Sequence, residues 1–276
     1  MIFVYKKWEK FCRKMSENSI HSIPACEVTS DLSSYIVLKH DVETNVEHAC
    51  RIAEIEHNYG HRGSYYVQAN LLENSANVKL LLQMKKMGHE ISYHYDVLDS
   101  NKGNIDSAIE EFEKKISLFE SHGFKIVTVC QHGNPIIERN GYNSNRDFFR
   151  SQRVQDLYPG LSDIMVNFKE KVQTEYSYFS DAGRVFKFIY DPINNDITDS
   201  ESKNIPYKDL DELYNALETN KGNIISMHPH RWTQSAVVFR IKTYAFKLLR
   251  LVAKLLIKIP VFYKIIGKYY YLAKKV

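Results

Sequence analysis

Tyr35-Ile-Val-Leu-Lys-His40-Asp41 decides the fold: it is a short, apolar, β-rich run that ends on residues able to bind a metal or move a proton. Three later runs repeat the arrangement, Ile91-Ser-Tyr-His94-Tyr-Asp96, Lys125-Ile-Val-Thr-Val-Cys-Gln-His132-Gly-Asn134-Pro135 and Asn223-Ile-Ile-Ser-Met-His228-Pro-His230. Runs of this length and β-branched content read as buried strands. Between them the apolar spacing turns helical over 46–57, 78–87, 105–122 and 210–219, and the first three of these stop at Gly60, Gly88 and Gly123. Further strands are expected at 63–68 and 185–190. Alternating β and α units imply an α/β fold with a parallel sheet or barrel. Parallel strands share a direction, so residues just past their C-terminal ends converge on one face. The four runs together outline an active site.

Taken singly, each of these residues has an ordinary structural reading. With 11 His in 276 residues some follow strands by chance, and an Asp or His at a strand end commonly caps a helix or satisfies a loop. Four in the same position make a pattern.

Composition describes a folded body: 44% apolar, 25% charged, with 11 Gly and 7 Pro, which is not the signature of disorder. The 19 Tyr and 14 Phe serve mostly in packing. Cys12, Cys26, Cys50 and Cys130 are widely spaced without a Cys-x-x-Cys pair, so neither a structural zinc cluster nor a redox pair is indicated, and a reducing compartment fits. Charge arrives at Lys6 and Lys7, too early for the apolar region of a signal peptide, so a cytoplasmic location is expected.

Charge is distributed unevenly. Residues 235–276 hold ten Lys or Arg and no Asp or Glu; taking ten from the total of +4 leaves −6 on the rest. Arg240, Lys247, Arg250, Lys254 and Lys258 fall in one sector of a helix, and Leu248, Leu249, Val252, Leu255, Leu256 and Ile259 cover much of the remainder. No uncharged stretch is long enough to span a bilayer, so the segment is expected to lie in the interface of an anionic membrane, as two helices separated near Pro260. Packing on the body or on a partner protein is the competing expectation. Nucleic acid is disfavoured, because the body is acidic.

Lys39-His40-Asp41-Val42-Glu43, Tyr59-Gly60-His-Arg-Gly63-Ser-Tyr-Tyr-Val67, Met87-Gly88-His89-Glu90-Ile91-Ser-Tyr-His94 and Ile225-Ser-Met-His228 together resemble the polysaccharide deacetylase (NodB-homology) family. More closely they resemble its branch with a His-Asp-Val-Asp/Glu start, associated with bacterial surface-polysaccharide synthesis. The resemblance runs in order from about residue 33 to 232. It implies a distorted (β/α) barrel over 33–234, preceded by an N-terminal segment at 1–32 and followed by the basic amphipathic extension at 235–276. It also implies a divalent metal, commonly Zn2+, and removal of an acetyl group from an N-acetylated sugar. On that resemblance Asp41 matches the catalytic base, Glu43 stands where some members place a metal-binding Asp, His94 matches the first metal histidine, and His228 matches the late histidine used as general acid. The family's second metal histidine falls four residues after the first, and here that position is Leu98.

A catalytic zinc needs about three protein ligands, and Glu43, His94 and His132 supply that set if the 125–131 strand lies near the first two runs. Asp96, Asn134, Asp181, Arg231 and Trp232 are the candidates for substrate contact, each with a turn or packing role as its alternative. The expected function is a metal-dependent hydrolase that removes an N-acyl group from a sugar, an N-acylated glycan or lipid-linked precursor of a surface glycan, held peripherally at the membrane. A catalytically inactive relative that binds a glycan or recruits assembly enzymes is the competing class, and Leu98 favours it.

Overall fold

A computed structural model describes residues 3–134 and 137–256. Nine strands form one sheet: β1 (Tyr35–Val42), β2 (Gly63–Val67), β3 (Glu90–Tyr95), β4 (Thr128–Gln131), β5 (Ser162–Asp163), β6 (Tyr176–Ser180), β7 (Lys187–Phe188), β8 (Ile205–Pro206) and β9 (Gly222–Met227). Ten α-helices accompany them: α1 (Tyr5–Glu17), α2 (Val46–Asn58), α3 (Ser75–Lys86), α4 (Val97–Ser100), α5 (Ile105–Ser121), α6 (Arg146–Arg150), α7 (Gln152–Leu157), α8 (Phe168–Val172), α9 (Leu210–Asn215) and α10 (Ala236–Leu256). The strand order is β5-β4-β3-β2-β1-β9-β6-β7-β8. Pairing is parallel from β5 through to β6, and β7 pairs antiparallel with both β6 and β8.

The α/β architecture with a parallel sheet follows the sequence pattern. Gly60 and Gly88, at φ +74° and +89°, end α2 and α3 in the left-handed conformation that a side chain resists. Two expected strands come out shorter. Only Thr128–Gln131 of 125–131 has neighbours to pair with, and 185–190 contributes only Lys187–Phe188, held between β6 and the two-residue β8. Helix 210–219 likewise ends at Asn215. After residue 137, elements of two to six residues are too short to show a period in sequence.

Along β1 the two faces alternate, and this places the site. Tyr35 and Val37 point into an interior cluster with Tyr66, Cys130, Ile164, Tyr178 and Ile224, whereas Ile36 and Leu38 point out toward α1. The same inward face continues as Lys39 and Asp41, so the interior changes from apolar to charged at the C-terminal end of the strand. Residues beyond β5 (Ile164, Met165) and from β6 (Tyr178) share that interior, so the sheet curls round it. Among the described residues no ladder bond joins β5 to β8. Side chains span the gap instead: Arg146 and Arg150 both bond to the Ile193 carbonyl and to Asp196.

Helix α1 completes the outer core. Trp8 is fully buried, stacks on Phe11, meets Trp232 edge-on and donates its Nε1 hydrogen to Glu56 at 3.1 Å. Glu56 also receives the Tyr65 hydroxyl at 2.8 Å and lies 2.9 Å from Nε2 of His40. His40 stacks on Tyr65, so this member of the first motif is a structural histidine outside the cavity.

His89 is locked between backbone groups. Its Nδ1 accepts from the Gly63 N–H at 3.0 Å, which leaves Nε2 to donate to the Ala53 carbonyl at 3.0 Å. Burial pushes its pKa down to about 4, since a second ring proton would be desolvated and would face the Gly63 N–H. A depressed histidine pKa means that the unfolded chain takes up the proton first. Its stabilisation is full above about pH 6.5 and is lost as pH falls toward 4, at roughly 3 kcal/mol once protonated. The melting temperature should fall over that window, and His89→Gln should flatten the dependence; an unchanged pH profile in the variant would refute this assignment.

Candidate active site

At the C-terminal ends of β1, β3, β4, β6 and β9 lies a cavity of about 210 Å³, lined by Lys39, Asp41, Glu43, His94, Ser226 and His228 among others. Glu43, His94 and His132 are all buried there, and one ligand atom from each lies within 4.8 Å of the others. His132 Nε2 is 3.1 Å from Glu43 Oε1. Nδ1 of His94 meets the Cys130 carbonyl at 3.1 Å, so this nitrogen carries the hydrogen and Nε2 keeps its lone pair. Burial pushes the His94 pKa down to about 3, which keeps the ring neutral. Two imidazoles and a carboxylate, buried and converging, fit a divalent cation of the zinc type. A second grouping, Asp41, His94 and Cys130, is poorer: burial raises the Cys130 thiol well above its ordinary value, so the thiolate that a metal needs is disfavoured.

Local structure explains why His132 stands beside Glu43 and His94. Leu98, four residues after His94, lies in the hydrophobic core on α4, 3% exposed. Asn145 then ties two segments together: Oδ1 accepts from Leu98 and Asp99 N–H at 3.0 Å, and Nδ2 donates to Asp99 and to the His132 carbonyl at 2.9 Å. The end of β4 is thereby fixed against the start of α4. The expected ligand set of Glu43, His94 and His132 is brought together, with His132 supplied by the neighbouring strand.

Lys39, quoted in the first motif but given no role from sequence, is a buried cation in the cavity wall. It is 1% exposed, and its Nζ lies 2.6 and 2.7 Å from the two oxygens of Asp41 and 3.2 Å from Ser226 Oγ. Burial opposes its charge, yet the Asp41 contacts outweigh burial and raise its pKa well above the ordinary lysine value. Burial would likewise raise the Asp41 pKa; Lys39, His94 and His228 together hold the carboxyl well below the usual range. A signal was available, because residues i and i+2 of a strand share a face and a lysine inside an apolar run must find a partner.

His228 faces Asp41 with Nε2 at 3.9 Å, while its Nδ1 bonds to Asp181 Oδ1 at 2.6 Å and its backbone N–H to Asp181 Oδ2 at 3.0 Å. Asp181 was expected to reach a sugar hydroxyl. It is instead fully buried and bonded to His228 and to Arg231 Nη1 at 2.8 Å, so it orients the histidine. Arg231, expected to meet an acidic substrate group, is held on Asp181. Trp232, offered for sugar stacking, is fully buried against Phe3 and Trp8, where no sugar reaches it. Asp96 remains at the rim, its side chain 44% exposed and Oδ2 3.9 Å from His132 Nδ1. Asn134 lies in the loop after β4, its carbonyl accepting from Arg139 at 2.9 Å. Arg146, Gln131 and Tyr178 line the cavity without having been singled out in sequence.

No family model and no curated protein matches this chain. Among solved structures it is similar to a CE4 esterase from Streptococcus mutans, at 13% identity and a TM-score of 0.44, over 88% of this chain and 89% of that one. It is also similar to a mutant of the peptidoglycan deacetylase PdaC from Bacillus subtilis, at 11% identity and a TM-score of 0.37, over 78% of this chain and 96% of that one.

Proposed function

We propose that this chain is a metal-dependent hydrolase that removes an N-acyl group, acetyl in size, from a sugar of a surface-glycan precursor. One observation carries the reading: Glu43, His94 and His132 are buried and close together, and Glu43 and His94 line a small cavity with an ion-paired carboxylate, Asp41, and an aspartate-backed histidine, His228. A divalent ion held by Glu43, His94 and His132 would polarise the amide carbonyl and make a water more acidic. Asp41, kept ionised by Lys39, is the group placed to take the proton from an attacking water. His228 donates from Nδ1 to Asp181, which directs Nε2 into the cavity, where it can hold a proton for the leaving amine. The direct test is acetate release from N-acetylated glycans by purified protein, lost on chelation and restored by Zn2+. Protein that binds glycan but releases no acetate with any divalent ion would support the inactive class, the reading that Leu98 favours.

The same reading places the enzyme at an anionic membrane through its C-terminal extension. On α10, Val237, Ile241, Tyr244 and Leu248 are 62–70% exposed and recur at three- and four-residue spacing, so they share one outward face. Phe239, 6% exposed, packs edge-on against Phe3 and anchors the start of the helix. No helix among the described residues is long and apolar enough to cross a membrane. The second helix expected after Pro260 lies outside the described residues. Each cation near such a surface contributes about 1 kcal/mol, added to burial of the apolar face. Full-length protein should pellet with vesicles containing phosphatidylserine at low salt and be released as salt rises. A chain truncated after residue 235 should stay in the supernatant with its activity on a soluble substrate retained; equal pelleting of both would refute the attachment.

A further inference from the structure

Two polar atoms in the cavity wall lack a hydrogen-bond partner among the described residues, and they are complementary. Arg146, 6% exposed, lines the cavity. Its Nη1 is held by the Ile193 carbonyl at 3.0 Å, Asn195 Oδ1 at 2.9 Å and Asp196 Oδ1 at 3.1 Å, while its Nε is buried without an acceptor. Gln131, at the end of β4 beside His132, lines the same cavity, and its Oε1 is buried without a donor. Buried polar groups left unsatisfied carry a desolvation cost that a bound group can remove.

The chemistry of the missing group follows from this pair. A hydroxyl can accept from an N–H and donate to a carbonyl oxygen, so hydroxyl groups suit both atoms. A methyl group satisfies neither. A carboxylate satisfies only Arg146, whose charge Asp196 already meets, and would repel the Gln131 oxygen. A cavity of about 210 Å³ confines both contacts to one sugar-sized ligand. Resting on the hydrolase reading, we infer that Arg146 and Gln131 form a specificity subsite for hydroxyl groups on the acylated sugar ring, with Asn195 and Asp196 fixing the orientation of the guanidinium.

Binding, rather than turnover, tests this and separates it from the hydrolase reading. The probes are N-acetylglucosamine, N-acetylgalactosamine, N-acetylmannosamine and their 3-, 4- and 6-deoxy analogues, titrated calorimetrically into full-length, zinc-loaded protein. At least one deoxy analogue should bind about tenfold to a hundredfold more weakly than its parent, because the missing hydroxyl leaves a wall atom unpaired. Gln131→Leu should shrink that gap to within about threefold at an unchanged melting temperature, since Gln131 stands outside the Arg146–Asp196 network. If Gln131→Leu fails to fold, Arg146→Lys decides: it keeps a cation for Asp196 but lacks the Nε hydrogen, and should shrink the same gap. Equal binding of all deoxy analogues, or a gap unchanged in the variants, overturns the subsite alone. Failure of every N-acetylated sugar to bind overturns the subsite and the sugar-hydrolase reading together.

Discussion

His94→Ala should purify without stoichiometric divalent metal and lose hydrolysis by roughly a thousandfold or more. The size follows from what the cation contributes: Lewis-acid stabilisation of developing charge is worth several kcal/mol, and each 1.4 kcal/mol is a factor of ten in rate. The ring is placed for one role. Its Nδ1 hydrogen is fixed on the Cys130 carbonyl, its Nε2 is left as a donor to metal, and burial holds it neutral with a pKa of about 3. Alanine removes that donor and leaves Glu43 and His132 as an incomplete pair. Elemental analysis of wild type and variant, beside acetate-release rates across added Zn2+, is the measurement. Full metal content with undiminished rate in the variant would remove His94 from the centre. Wild-type protein that carries no metal and gains no activity from added ions would remove the centre altogether.

The second expected result separates the two groups proposed to handle protons by their effects on folding. His228→Ala should cut turnover by 10²–10⁴, the usual contribution of a positioned acid or base, and leave the melting temperature nearly unchanged. His228 is part-buried at the cavity edge, and its loss leaves Asp181 still bonded to Arg231. Asp41→Asn should lose activity on the same scale but also melt lower. Lys39 is the reason, because removing one member of a buried ion pair strands the other charge at a cost of about 3–5 kcal/mol. Combining Lys39→Met with Asp41→Asn should restore most of the lost stability and none of the activity. Thermal melts and turnover on the four proteins decide the matter. A double variant that melts no higher than Asp41→Asn would show that Lys39 is not stranded by the single change, and retention of activity by His228→Ala would remove it as the acid.

Much of the framework was legible in the sequence because it depends on local chemistry. The apolar runs of β1, β3, β4 and β9 and the glycines at 60 and 88 define strands and helix stops that need no distant partner. Parallel strands then carry Asp41, Glu43, His94, His132 and His228 to one end of the sheet, so the grouping of these candidates followed from their positions after strands. Short elements such as β5, α6 and α8 were illegible, since two to six residues do not complete a period.

Tertiary structure alone decided how each side chain is used. His40 and Asp41 are neighbours in sequence, but strand alternation sends one to Glu56 and Tyr65 outside the sheet and the other to Lys39 within it. Trp232 and Arg231 follow His228 in the same turn, yet one is buried against Phe3 and Trp8 and the other clamps Asp181. His132 belongs with Glu43 and His94 only because β4 pairs with β3 and Asn145 pins its end, contacts made by residues remote in the chain. Sequence determines which groups stand at the strand ends. Long-range packing sets their partners, burial and charge, because those depend on which segments fold against one another.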